Sequence, residues 1–291
     1  MLFLALSILT CTLLNIILKS FAKFDVNTFQ AIVINYWVCT LTGSIIENYY
    51  TPIHFEAMST PWFYSTLMLG ISFIILFNLM GLTAQKLGLT VVSVSNKLSL
   101  IIPVSLAFFM MKEQVTALKI ISIILALTAV VLVTLQKNKA DNKPSKLLFI
   151  LPVILFLGSG FNDSLVNHIV QTTGLSEADK PKFVIWIFQI AAILGTKILI
   201  IQLILKQQKL ALKNIIAGIC LGIPNYFSMY YLVKALADSG LQSSVIFPIN
   251  NVAIVIVSAI SGILLFAEKL SKLQIAGILL ACVSIAILAI Q

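Results

Sequence analysis

The sequence predicts an all-α polytopic membrane protein, ten transmembrane helices arranged as two inverted five-helix repeats. Three observations predict it. Of 291 residues, 60% are hydrophobic and only 10% charged, against roughly half and a quarter in a soluble domain. The apolar residues fall into ten runs, each near the roughly 20 residues that cross a bilayer. A pattern beginning at residue 113 also returns 155 positions later.

The runs cover 2–19, 28–46, 62–85, 90–111, 117–136, 147–171, 182–205, 214–236, 241–266 and 272–290. Each reads as a helix, because unpaired backbone groups are too costly in lipid and no run alternates like a barrel strand. The first lacks the positive leader of a secretory signal, and Ile8-Leu9-Thr10-Cys11 lacks the small residue of a cleavage site, so it reads as a span. Between the second and third, Glu47 to Pro61 carries no lysine, and Tyr49, Tyr50 and Trp62 resemble an interfacial aromatic belt. Pro103 and Pro248 interrupt the fourth and ninth spans, and Pro224 kinks the eighth. Residues 137–146 form a charged linker between a first repeat, 1–136, and a second, 147–291.

The repeat rests on several matches. Glu113-Gln114-Val115-Thr116-Ala117-Leu118 falls on Glu268-Lys269-Leu270-Ser271-Lys272-Leu273 at a shift of 155. Gly88-Leu89 falls on Gly240-Leu241 at 152, and Asn15 to Ser20 falls on Asn167 to Thr172 at the same shift. Five is odd, so the two halves enter the membrane from opposite sides. That architecture lets one central site face either side in turn.

These residues carry a resemblance. Pro103 ten residues before the acid, then Lys112-Glu113-Gln114-Val115-Thr116 and a span, echoed by Ala267-Glu268-Lys269-Leu270-Ser271 and its span, is similar to the drug/metabolite transporter superfamily and its EamA-like branch. Pro248 departs from the pattern, lying twenty residues before Glu268. The resemblance implies a ten-helix carrier with a central cavity lined by the third, fourth, eighth and ninth helices. It supplies no substrate.

All nineteen basic residues are lysines, against ten acids. Without the arginine fork, and with lysines scattered through short loops, the charge suits a lipid bilayer and not nucleic acid. Twelve lysines fall in one alternate set of loops (19, 23, 86, 137, 139, 143, 146, 206, 209, 213, 269, 272) and five in the other. The positive-inside rule then makes the linker cytoplasmic and both termini external, in what reads as a bacterial inner membrane. Many members of the resembling family have cytoplasmic termini instead. Cys11, Cys39, Cys220 and Cys282 sit in apolar runs without ligand spacing and read as small buried hydrophobes.

Polar residues inside spans are the site candidates, because each costs several kcal/mol unless it faces a partner or a wet cavity. Lys97 shares the fourth span with Asn96 and Ser93, and at the shift of 155 Ser95 and Asn96 fall on Asn250 and Asn251. Lys97 either pairs with a substrate carboxylate or phosphate, or snorkels to the nearer interface. The sixth span carries a stripe of Gly160, Asp163, Ser164, Asn167, His168 and Gln171. Asp163, with His168 near it, is a proton-coupling carboxylate, a counter-ion for Lys97, or a wet residue beyond an early helix end. In the eighth span Asn225, Tyr226 and Tyr230 either line a cavity or pack against neighbouring helices.

Catalytic constellations are missing: no P-loop, no H-E-x-x-H, and Ser159 and His168 stand about 13.5 Å apart along one helix. The sequence thus predicts no enzyme, no metal and no cofactor. It predicts a secondary transporter for a small polar, anionic or zwitterionic metabolite such as an amino acid or organic acid, with protons as a coupling ion. The alternatives are a carrier of nucleotide- or lipid-linked sugar, and a receptor or assembly subunit that does not turn over.

Overall fold

In the computed structural model the described residues are 2–48, 60–103, 117–134, 146–172, 180–238 and 243–289. They form ten helices and no strand. These are α1 (Leu2–Lys23), α2 (Thr28–Ile46), α3 (Phe63–Leu87), α4 (Leu89–Leu98), α5 (Ala117–Thr134), α6 (Lys146–Thr172), α7 (Lys180–Ile204), α8 (Leu212–Asp238), α9 (Ser243–Phe266) and α10 (Lys272–Ala289). Each expected run overlaps one of them, but the fourth, 90–111, is described only to residue 103 and α4 covers only its first half. Six, namely α1, α2, α3, α7, α8 and α9, are long and apolar enough to cross a membrane, which makes this an integral membrane protein. The apolar parts of α4, α5, α6 and α10 are shorter among the described residues. The linker 137–145, the acid Glu113, Glu56, Tyr49, Tyr50 and Gly240 lie outside the described residues.

The helix ends follow local chemistry. Asn27 caps α2 by accepting the Gln30 N–H at 3.1 Å. Ser271 and Gln274 close a capping box on α10, each side chain accepting the other's backbone N–H, at 3.2 and 2.9 Å. The hydroxyl in the repeated motif is therefore an N-cap in its second copy. Helix α4 stops at Ser99 because Pro103 offers no N–H to the Ser99 carbonyl, which accepts from Ile102 at 2.9 Å instead. A short helical stretch resumes at residues 101–103.

Four apolar clusters hold the helices among the described residues, and two of them are large. One joins α1, α2, α3, α7 and α8 around the fully buried Tyr36, whose hydroxyl donates to the Phe73 carbonyl at 2.7 Å. The other joins α4, α5, α9 and α10 through Val91, Val94, Ala126, Ala129, Val255 and Ala281. Outward faces carry exposed Ile75 on α3, Ile124 and Leu127 on α5, Ile201 on α7 and Leu279 on α10, as a lipid-facing surface requires. Glycines bring backbones together: a Cβ at Gly222 of α8 would lie 2.8 Å from the Asn35 carbonyl of α2. Gly218 and Gly222 thus serve packing within the chain.

Four connections meet at one end of the bundle. The Asn27 N–H donates to Asn214 Oδ1 at 3.0 Å, and Asn27 and Gln30 side chains both donate to Gln208 Oε1. Gln85 donates to Thr28 Oγ1 at 2.8 Å, and Lys19 pairs with Glu268. This end gathers the lysine-rich loops after α1, α3, α7 and α9. There the exposed Asp25 carboxyl pairs with Lys213 at 2.9 Å, which holds it below the usual carboxylate range.

Candidate functional site

The two cores leave a polar seam between them, along α1, α4, α6 and α9. On the α6 side, Asn96 Nδ2 donates to Ser159 Oγ at 2.9 Å, and Ser99 Oγ donates to Asp163 Oδ2 at 3.1 Å. The spacing explains the pairing: Ser159 and Asp163 are one turn apart on α6, so they face α4 together. Gly160 between them lies against the Ile102 side chain, which brings the break in α4 flush with α6.

Lys97 is half-buried and makes no hydrogen bond or ion pair among the described residues. It lies close enough to act electrostatically on Asp163, whose side chain is exposed. The last turn of α4 ends beside Lys97, and a helix C-terminus favours a cation there. An ammonium and a carboxylate therefore stand near each other without an ion pair among the described residues. By helical rise, Ser99 lies about 15 Å from the start of α4, and Asp163 about 25 Å from the start of α6. The pair is thus far from the lysine-rich end.

On the α1 side, Ser93 accepts from Asn15 Nδ2 at 3.0 Å, leaving Asn15 Oδ1 buried without a partner. Asn250 and Asn251 are buried on α9, which packs against α1 and α4, and Asn250 Oδ1 has no partner. The remaining expected residues lie elsewhere. Asn225 Nδ2 donates to Asn35 Oδ1 at 3.1 Å across α8 and α2, and Tyr226 is buried in the first core. Tyr226 and Tyr230 stack with ring centroids 6.1 Å apart, and Lys234 stands 5.9 Å from the Tyr230 ring. Tyr226 therefore packs against neighbouring helices. Helix α6 runs unbroken to Thr172, so His168 is exposed on a continuous helix and Ser159 stays about 13.5 Å from it along the axis.

Sequence reasoning passed over Ser99 and read Ser159 only as a failed nucleophile. The signal for Ser159 was present, since it precedes Asp163 by one turn. Asn15 and Glu268 served only as repeat markers.

No family model matches the chain. It is similar to a Haemophilus influenzae protein described only as uncharacterized, 24% identical over 279 residues that cover 94% of this chain and 92% of that one.

Proposed function

We propose that the chain is a secondary transporter of the drug/metabolite transporter type, moving a small anionic or zwitterionic metabolite by alternating access between two inverted halves. The observation that carries this reading is Lys97, an uncontacted ammonium at the break of α4, opposite the accessible carboxylate of Asp163. A zwitterion such as an amino acid answers both charges, its carboxylate to Lys97 and its ammonium to Asp163. An organic acid answers Lys97 alone and leaves Asp163 to carry a proton.

The inverted repeat draws support from contacts that exchange when each residue moves by the sequence shift. Gly43 packs against Ile185 and Tyr226, and Gly195 packs against Val33 and Ile74. Adding 152 to 43, 33 and 74 gives 195, 185 and 226. Gly70 meets Ile190 as Gly222 meets Val38, again at 152. At 155, Gly277 against Ala129 answers Ser122 against Ser284, whose hydroxyl donates to the Ser122 carbonyl at 2.8 Å. Contacts related in this way are those of two like halves, the architecture on which alternating access is built. In this reading all ten helices cross the membrane and the lysine-rich end is cytoplasmic.

The test is flux in liposomes. Purified protein is loaded against mixtures of amino acids and organic acids, and exchange of a labelled solute is followed by mass spectrometry. Exchange with the native protein, lost with Lys97→Gln at unchanged folding, is the expected result. Saturable binding without flux would point to a receptor instead.

A further inference from the structure

We propose that Lys19, Glu268 and the amino end of α4 form the gate that closes the transport path at the lysine-rich end. This rests on the transporter reading above.

Glu268 holds three elements at once. Its carboxylate pairs with Lys19 of α1, accepts the Leu89 N–H at 2.8 Å and receives the Thr90 hydroxyl at 3.4 Å. Its own N–H donates to the Gly262 carbonyl at 3.0 Å, which folds the chain back over the end of α9. Two glycines make room for it: a Cβ at Gly88 would lie 2.7 Å from Glu268 Oε1, and one at Gly262 would lie 2.8 Å from its carboxyl carbon. Lys19 also stands 4.8 Å from the Phe266 ring. Both charged side chains are nearly enclosed, 15% and 12% exposed.

The path is read by counting turns inward. One turn below Lys19 is Asn15, one turn below Leu89 is Ser93, and one turn below Gly262 is Ser258. Asn15 and Ser93 are hydrogen-bonded, and Asn15 Oδ1 and Ser258 Oγ are buried without partners. A further turn below Ser93 is Lys97. Above the ion pair lies an open depression lined by Gln85, Lys86, Lys269 and Gln274. A polar track thus runs from the surface to Lys97, and the ion pair is its one charged closure among the described residues. At the shift of 152, Lys19 falls on the neutral Gln171, so the sequence gives the other end no matching pair.

The experiment uses full-length protein with its four cysteines replaced by alanine, carrying Lys19→Cys and Glu268→Cys. After reconstitution a short bis-methanethiosulfonate bridges the two thiols, so folding precedes the lock. Exchange stopped by the bridge and restored by reductant is the expected result; exchange unchanged by the bridge overturns the gate and leaves the transporter reading intact. In parallel, Ser258→Cys is labelled by a thiol reagent added on the lysine-rich side of sealed vesicles. Its rate should rise about tenfold when Glu268→Gln is added, as for a modest population shift. If the native protein moves no solute the transporter reading fails; in that case, or if the double-cysteine protein is itself inactive, this rate alone decides: a rise supports the gate, and no rise overturns it.

Discussion

Lys97 has no acceptor of its own, so removing its charge leaves no carboxylate orphaned by contact and the fold should survive. Lys97→Gln should lower transport efficiency by an amount worth about 2–5 kcal/mol, the range for a lost buried charge contact, while thermal unfolding in detergent stays unchanged. Asp163→Asn separates two roles. Counterflow should persist while accumulation driven by a proton gradient disappears; loss of both would make Asp163 a substrate contact. Gly88 has φ 103° and ψ 168°, a region reserved almost entirely for glycine. Gly88→Ala should therefore destabilise by about 1–3 kcal/mol from the backbone alone, and it also displaces Glu268. Lys97, Asn96 and Asp163 stand out in the sequence because polar and charged side chains are rare inside apolar runs. The vital neighbours do not, since Ser99 and Ser159 are ordinary helix residues until α4 and α6 are placed side by side.

At the scale of elements, the six long apolar helices were legible from apolar runs, because length and hydropathy decide a span before packing does, while the run at 90–111 did not show that α4 ends at Leu98. Which faces meet was not legible, for the helices are apolar nearly all round and present no single stripe. Tyr226 illustrates this: its spacing to Tyr230 is right for a cavity wall, yet Gly43 opposite accepts it into the core. The break in α4 yields a prediction of its own. Pro103→Ala restores the missing N–H and should straighten the helix past Ser99. Turnover should fall while substrate affinity, measured by equilibrium binding, changes little. At the α2–α8 contact, overpacking should outweigh a hydrogen bond. Gly222→Leu should cost about 1–3 kcal/mol, and Asn225→Ala only about 0.6 kcal/mol, as for interhelical hydrogen bonds in membranes; unfolding in mixed micelles ranks them.

For the whole molecule, the sequence shift carried more than counting spans could. It suggested a duplication from a handful of residues, and the same offset relates Gly43 to Gly195 and Gly70 to Gly222 in their packing. Sidedness was legible only as a lysine bias. A cysteine at Lys209 should resist an impermeant thiol reagent in intact cells and react after permeabilisation; labelling from outside would invert the molecule. The lysine-rich end also joins its loops by two different chemistries. Asn27, Gln30, Gln202, Gln208 and Asn214 form a continuous amide mesh with no ionisable side chain. Salt cannot screen it. The first and third inter-helix turns of that face therefore stay riveted when salt screens the exposed Asp25–Lys213 pair between them, and the nearly enclosed Lys19–Glu268 pair is screened far less, so this end keeps its shape across ionic strengths.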